Sequence, residues 1–114
     1  MNPAVLDAFA LVTFAAAEGP AYPGVAGHEP HVESAREESG NIERAMAELR
    51  KLVPVPAAYV SESNYFEPNW QEAFWGSNYS RLLAAKERFD PHGLFFVHHG
   101  VGSERWSEDG FMRA

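Results

Sequence analysis

Two stretches concentrate the groups that can orient a ligand and move a proton: Tyr59-Val-Ser-Glu-Ser-Asn-Tyr-Phe66 and Phe74-Trp-Gly-Ser-Asn-Tyr79. Phenols, amides and a carboxylate at strand ends, set among aromatic rings, suit a pocket for a flat ligand. The same composition suits an ordinary interior in which the aromatics pack and the asparagines cap helices. The residues alone leave both readings open.

Other constellations carry less. His28-Glu-Pro-His31-Val-Glu33 offers imidazoles and carboxylates, but on a proline-interrupted stretch it lacks the helical i, i+4 scaffold of strong zinc motifs, so no metal is expected. His98 and His99 fall in an expected strand, where neighbours point to opposite faces and at most one reaches a given site. There is no Gly-x-Ser-x-Gly elbow, and Ser77 reads as a helix cap rather than a nucleophile. The nine glycines never form Gly-x-Gly-x-x-Gly, so the chain has no phosphate cradle of its own. With no cysteine, disulfides, thiolate metal sites and thiol nucleophiles are excluded, while the redox compartment stays open.

These groups must be positioned by the elements that the pattern predicts. Asn2-Pro3 is a helix start, and Phe9–Phe14, apolar on both faces, reads as a buried strand. Glu18–Val32 is dense in Gly and Pro and reads as a loop. Ser34-Ala-Arg-Glu37 reads as a capping box. The helix behind it carries Ile42, Ala45, Met46, Leu49 and Leu52 on one face and stops at Val53, before Pro54 and Pro56. Ala57–Ser61 is a second expected strand. A short helix from Pro68 runs through Trp70, Ala73 and Phe74 to a left-handed Gly76. Ser77 or Asn78 then caps a helix with Tyr79, Leu82, Leu83 and Phe89 on one face. Asp90-Pro-His-Gly93 is a type I turn sequence leading to a strand at Leu94–Val97. The last stretch carries Trp106 and Phe111, which should dock on the body or on another chain. The order predicts one α+β domain over residues 1–114, a small antiparallel sheet with helices packed on it.

A chain of 114 residues with eight Phe, three Trp and four Tyr is long enough for a single domain with a substantial core. Its 9 basic against 16 acidic residues give a net charge of −7, which repels a phosphate backbone and argues against nucleic acid. The apolar stretch ending at Ala15-Ala-Ala17 lacks a positive start, Arg36 being the first basic residue, and contains Asp7. It matches neither a signal peptide nor a membrane span, so a cytoplasmic location without membrane contact is expected.

Tyr59–Pro68, Ala73–Pro91 and Gly93–Ser103 resemble the C-terminal berberine-bridge-enzyme domain of FAD-linked oxidases in the vanillyl-alcohol-oxidase superfamily. In that family a strand ending in Tyr-x-Asn precedes a Gly-x-Asn-Tyr-x-x-Leu helix, a Lys and an Asp-Pro-x-x-x-Phe turn. Gly76-Ser-Asn-Tyr-Ser-Arg-Leu82, Lys86 and Asp90-Pro-His-Gly-Leu-Phe95 match the last three. Asn2–Val53 is similar to the part of the substrate domain preceding this motif. The resemblance implies a domain that closes over the flavin ring, while a separate N-terminal domain holds the rest of FAD and any covalent attachment point.

Carried over residue by residue, Tyr59 takes the place of the family tyrosine and Ser61 that of the asparagine, while Asn78 and Tyr79 match the pair near the flavin. The position after Tyr-x-Asn, a tyrosine base in many members, is Glu62 here. The resemblance therefore implies Glu62 and Tyr59 as catalytic, Ser61, Asn78 and Tyr79 as cofactor-binding, and Asn64, Tyr65 and Trp75 as substrate-binding. Strand alternation sets Glu62 opposite Tyr59 and Ser61, unless the turn formers Ser61–Asn64 bend the chain. The expected function is the substrate-domain segment of an FAD-dependent oxidoreductase of secondary metabolism, acting on a small molecule with a flavin-domain partner or as a homodimer. The alternatives are a flavin-independent cyclase or isomerase using Glu62 and tyrosines as acid and base, and a non-catalytic dimeric binding module.

Overall fold

The structure, a computed structural model, describes residues 1–53 and 57–114; the expected stops Pro54 and Pro56 lie outside the described residues. Those described fall into two compact units, residues 10–53 and residues 1–9 with 57–114. In the first, the Gly/Pro-rich stretch is a loop, tied by the Tyr22 amide donating to the His28 carbonyl at 2.7 Å. It leads into helix α1, Val32–Leu52. The helix starts two residues before Ser34, behind an N-cap His31 whose side chain makes no capping bond, so the expected capping box is not used. Glu33 in its first turn and Arg50 and Lys51 in its last suit the helix dipole. Ile42, Ala45, Met46 and Leu49 are half-buried, whereas Leu52 is 81% exposed.

The second unit is organised by α2, Trp70–Trp75, and α3, Tyr79–Phe89, joined by a 3-10 turn over Gly76–Asn78. Trp70, Ala73 and Phe74, spaced three and four apart, share one face and are buried, with Ala58, Trp75 and Tyr79 packed against them. Gly76 leaves the helix at φ 51°, a backbone region that disfavours any side chain. A 3-10 helix over Pro3–Asp7 is capped by Asn2, whose Oδ1 accepts from the Ala4 amide at 3.0 Å. The Asn2 Nδ2 donates to the Glu72 and Ala73 carbonyls at 2.9 and 3.1 Å. Those carbonyls lie in the last turn of α2, where the Gly76 amide also donates to Glu72 and the Ala58 amide to Ala73. Asn2 is only 4% exposed.

Three expectations are corrected here. The α+β class with an antiparallel sheet is wrong: among the described residues there is no strand, only an isolated antiparallel bridge between Trp106 and Arg113. β-rich composition expresses a preference, and a strand exists only where a ladder partner takes its amides. Here those amides are taken otherwise. Ala58 N–H donates to the Ala73 carbonyl at 2.9 Å, Glu62 N–H closes a 3-10 turn onto the Tyr59 carbonyl at 3.0 Å, and Leu94 and Phe95 donate to the Asp90 carboxylate. Phe9–Phe14 is exposed throughout. The anticipated large core is also absent. Among the described residues only Trp70, Ala73 and Phe74 are buried hydrophobics, and Phe66, Phe89, Phe95 and Phe111 are each over 70% exposed. Finally, the tail docks through Trp106 and not through Phe111: the Trp106 indole packs on the Cα of Gly93, Arg105 pairs with Glu87 of α3, and Phe111 stays in solvent.

Replacing Asn2 by Ala removes a buried side-chain donor from two helix-end carbonyls and the cap on the Ala4 amide, and should destabilise the protein by about 1–3 kcal/mol in urea unfolding. Gly76→Ala should also destabilise, because its new Cβ would sit 2.6 Å from the Asn2 Oδ1 at positive φ. The double variant should lose less than the sum, since Asn2→Ala removes the atom that the new methyl strikes.

Candidate functional site

The site is built where the chain returns from α3. The Asp90-Pro-His-Gly93 turn closes with the Gly93 amide donating to the Asp90 carbonyl at 3.2 Å, with Gly93 at φ 65°. The Asp90 carboxylate accepts from the Leu94 and Phe95 amides at 2.8 and 3.0 Å and pairs with Lys86, one helical turn back. Lys86, with help from these amides, holds the Asp90 carboxyl below the usual carboxylate range. Lys86 also donates to the Phe95 carbonyl at 2.6 Å, so the segment after α3 is fixed from two sides.

That segment ends in a tight turn in which the Gly100 amide donates to the Val97 carbonyl at 2.9 Å, with His98 and His99 at its tip. His99 has φ 55°, the one positive φ outside glycine among the described residues. Histidine tolerates this conformation better than most side chains do, yet it is uncommon. The expectation that the pair would point to opposite faces is therefore corrected: a turn replaces the strand, and the two rings lie 3.8 Å apart between centroids. His98 stacks on Tyr65 at 3.9 Å and 9°, and its Nε2 donates to the Tyr65 carbonyl at 2.8 Å. His99 stacks on Trp70 at 5.3 Å and 15°, with Phe74 at 6.1 Å. Burial and the neighbouring His98 push the His99 pKa down, which keeps its ring neutral at pH 7. Beside the stack lies a cleft of about 170 Å³ lined by Val60, Ser63, Asn64, Tyr65, Phe74, His98 and His99.

Of the residues named from sequence, Asn64 and Tyr65 line this cleft. Glu62, Ser61 and Tyr59 are exposed and outside its lining, on or beside the 3-10 turn Val60–Glu62. The chain thus bends at these turn formers, with the Ser63 hydroxyl donating to the Val60 carbonyl at 3.1 Å. Trp75 packs against the core with its indole Nε1 buried and without a hydrogen-bond partner among the described residues. Asn78 Nδ2 donates to the Met1 carbonyl at 3.1 Å rather than capping α3. The Tyr79 hydroxyl donates to Glu104 at 2.5 Å and accepts from the Gly102 amide at 3.3 Å. Burial, followed by the bond to Glu104, pushes its pKa up to about 12, so at neutral pH Tyr79 is a donor and no base. Val60, Ser63 and Phe74 lie in the two stretches singled out from sequence but were given no individual role, and His98 and His99 were not expected to share a site. The available signal was His-His-Gly shortly after an Asp-Pro turn, a pattern as suited to a reversal as to a strand. Among the described residues no group of three metal-ligating side chains converges, and no helix is long and apolar enough to cross a membrane.

A family model described as berberine and berberine-like matches residues 58–102. Residues 58–102 are thus similar to the berberine-like family. An uncharacterized FAD-linked oxidoreductase of Arthroderma benhamiae is 50% identical over 66 residues, covering 58% of this chain and 11% of that protein. The FAD-linked oxidoreductase ZEB1 of Gibberella zeae is 49% identical over 69 residues, 59% of this chain and 12% of its own length. A VAO-type flavoprotein oxidase of Thermothelomyces thermophilus is 46% identical over 56 residues, 49% of this chain and 10% of that protein. The chain thus spans about a tenth of the length of the curated relatives it matches. No solved structure matches it.

The berberine-like segment does not by itself fit a whole flavin dinucleotide. Its cleft of about 170 Å³ is smaller than the ~300–1,000 Å³ of pockets that enclose even drug-sized ligands. Asn78 and Tyr79 already have partners within the chain.

Because the neutral phenol is favoured in the folded state, the Tyr79 contribution to stability is complete below the ordinary value of 10 and is lost as pH rises through about 12. In a phenolate absorbance titration one of the four tyrosines should ionise near pH 12, and Tyr79→Phe should delete that late step alone.

Proposed function

We propose that this chain supplies one wall of the substrate site of an FAD-linked oxidoreductase whose flavin is held by a separate flavin-binding domain. The observation that supports this best is that all seven residues lining the cleft fall inside the segment 58–102 that matches the berberine-like family. The high identity of its relatives, named FAD-linked oxidoreductases, points to the same chemistry. Their names carry FAD; for this chain the cofactor is part of the proposal. In this reading Ser61, Asn78 and Tyr79 face the flavin side, Asn64, Tyr65 and Trp75 hold a small-molecule substrate of secondary metabolism, and Glu62, assisted by Tyr59, accepts the substrate proton. The exposure of Glu62 and Tyr59 is consistent with a site completed by another domain. The exposed Phe66, Phe89, Leu94 and Phe95 give that domain, or a second copy of this chain, apolar surface to cover.

Co-purification with a family flavin-binding domain should yield a complex with flavin absorbance and oxidase turnover, and the chain alone should show neither. A complex with no flavin signal would sink the reading. Within an active complex, Glu62→Gln should lower turnover by ~10²–10⁴ with unfolding unchanged, and full activity would remove Glu62 from the mechanism. Light scattering of the chain alone should give twice the monomer mass if a second copy covers these residues.

A further inference from the structure

The proposed function uses Asn64 and Tyr65 but gives no role to the two histidines beside them. His99 is the most unusual residue of the unit. It is held at φ 55°, a conformation that costs a non-glycine residue free energy and persists only where surrounding contacts enforce it. It is half-buried, wedged between the rings of His98 and Trp70 and close to Phe74. Among the described residues its imidazole has no hydrogen-bond partner. A polar ring placed so, with no intrachain bond in return, is accounted for if its partner comes from outside.

The lining says what that partner is. Tyr65, His98, His99 and Phe74 present ring systems and Val60 an alkyl group, while Ser63 and Asn64 add polar groups. Asn64 Oδ1 already accepts from the Phe66 amide at 3.0 Å, and the Ser63 hydroxyl already donates to Val60. The His98 Nε2 already donates to the Tyr65 carbonyl. The neutral His99 keeps one acceptor nitrogen. His99 therefore offers a lone pair, beside flat surfaces. The volume, about 170 Å³, is close to the ~150 Å³ of an apolar protein cavity known to take one benzene ring.

We propose that this cleft binds a single planar ring carrying a hydrogen-bond donor, a hydroxyl or ring N–H, with the His99 imidazole as its acceptor and the Tyr65–His98 stack as its wall. Identifying that ring as part of the oxidoreductase substrate rests on the function proposed above; the binding does not, and it is tested without flavin.

The probes are phenol, toluene and cyclohexanol, titrated into the full chain while the imidazole and Tyr65 ring resonances are followed by NMR. Phenol should shift His98, His99 and Tyr65 with a dissociation constant on the order of millimolar, as suits so few atoms. Toluene, planar without a donor, should bind roughly 3–10-fold more weakly, the worth of one net hydrogen bond, and cyclohexanol, a donor without a flat face, should also be weaker. His99→Phe keeps a ring and removes the acceptor, so phenol should weaken to the level of toluene while toluene is unchanged. If that variant loses its native spectrum, the three-probe comparison on the unaltered chain decides. Equal affinities for phenol and toluene, or shifts confined to residues outside the cleft, would overturn the proposal. If phenol binds as stated but no complex with a flavin domain turns over, the cleft stands and the oxidoreductase reading fails.

Discussion

The backbone carbonyls at the end of α2 are the constraint around which residues 1–9 and 57–114 are arranged. A six-residue helix is far too short to persist on its own propensity. It is kept by what satisfies its free end: the Asn2 amide on Glu72 and Ala73, the Ala58 amide also on Ala73, and the Gly76 amide on Glu72. These bonds draw two remote stretches of chain, at Asn2 and Ala58, to the end of α2. Trp70, Ala73 and Phe74, the buried hydrophobics among the described residues, sit on that helix, and His99 leans on two of them. Loss of α2 would remove the core and the floor of the cleft together.

A second set of interactions fixes the far side. Asp90 ends α3 and takes up two amides and one ammonium, which converts the chain beyond it from an extended path into a bend. Tyr79, Glu104 and Gly102 tie the following stretch to the start of α3, and Arg105 ties it to Glu87. Charge-assisted bonds to backbone amides are stronger than surface ion pairs, so Asp90 matters more here than the exposed Lys51–Glu48 contact. The histidine turn is thus held by polar bonds on one side and ring stacking on the other.

What depended on near neighbours in sequence was legible. The apolar spacing of α1 and α3, the glycine exit of α2 and the Asp90-Pro-His-Gly93 turn all rest on interactions within a few residues. The strands were not, because Phe9–Phe14, Ala57–Ser61 and Leu94–Val97 have β-rich composition, while a strand needs a ladder partner that none of them finds among the described residues. The Ala73 carbonyl took one set of amides and the Asp90 carboxylate another. Asn64 and Tyr65, expected to hold substrate, line one cleft, whereas His98 and His99 were divided between two faces by a strand that does not form. One backbone angle, the positive φ of His99, reverses that conclusion. The family likeness of residues 58–102 was carried by local motifs and survives the loss of the sheet.

The stacking of the histidine turn on α2 joins these threads, and ring-to-ring nuclear Overhauser effects test it most directly. The account predicts cross-peaks between the His99 and Trp70 rings and between the His98 and Tyr65 rings, together with a short contact from the Gly100 amide to Val97. Absence of those ring contacts, with cross-strand amide contacts along residues 94–97, would contradict it.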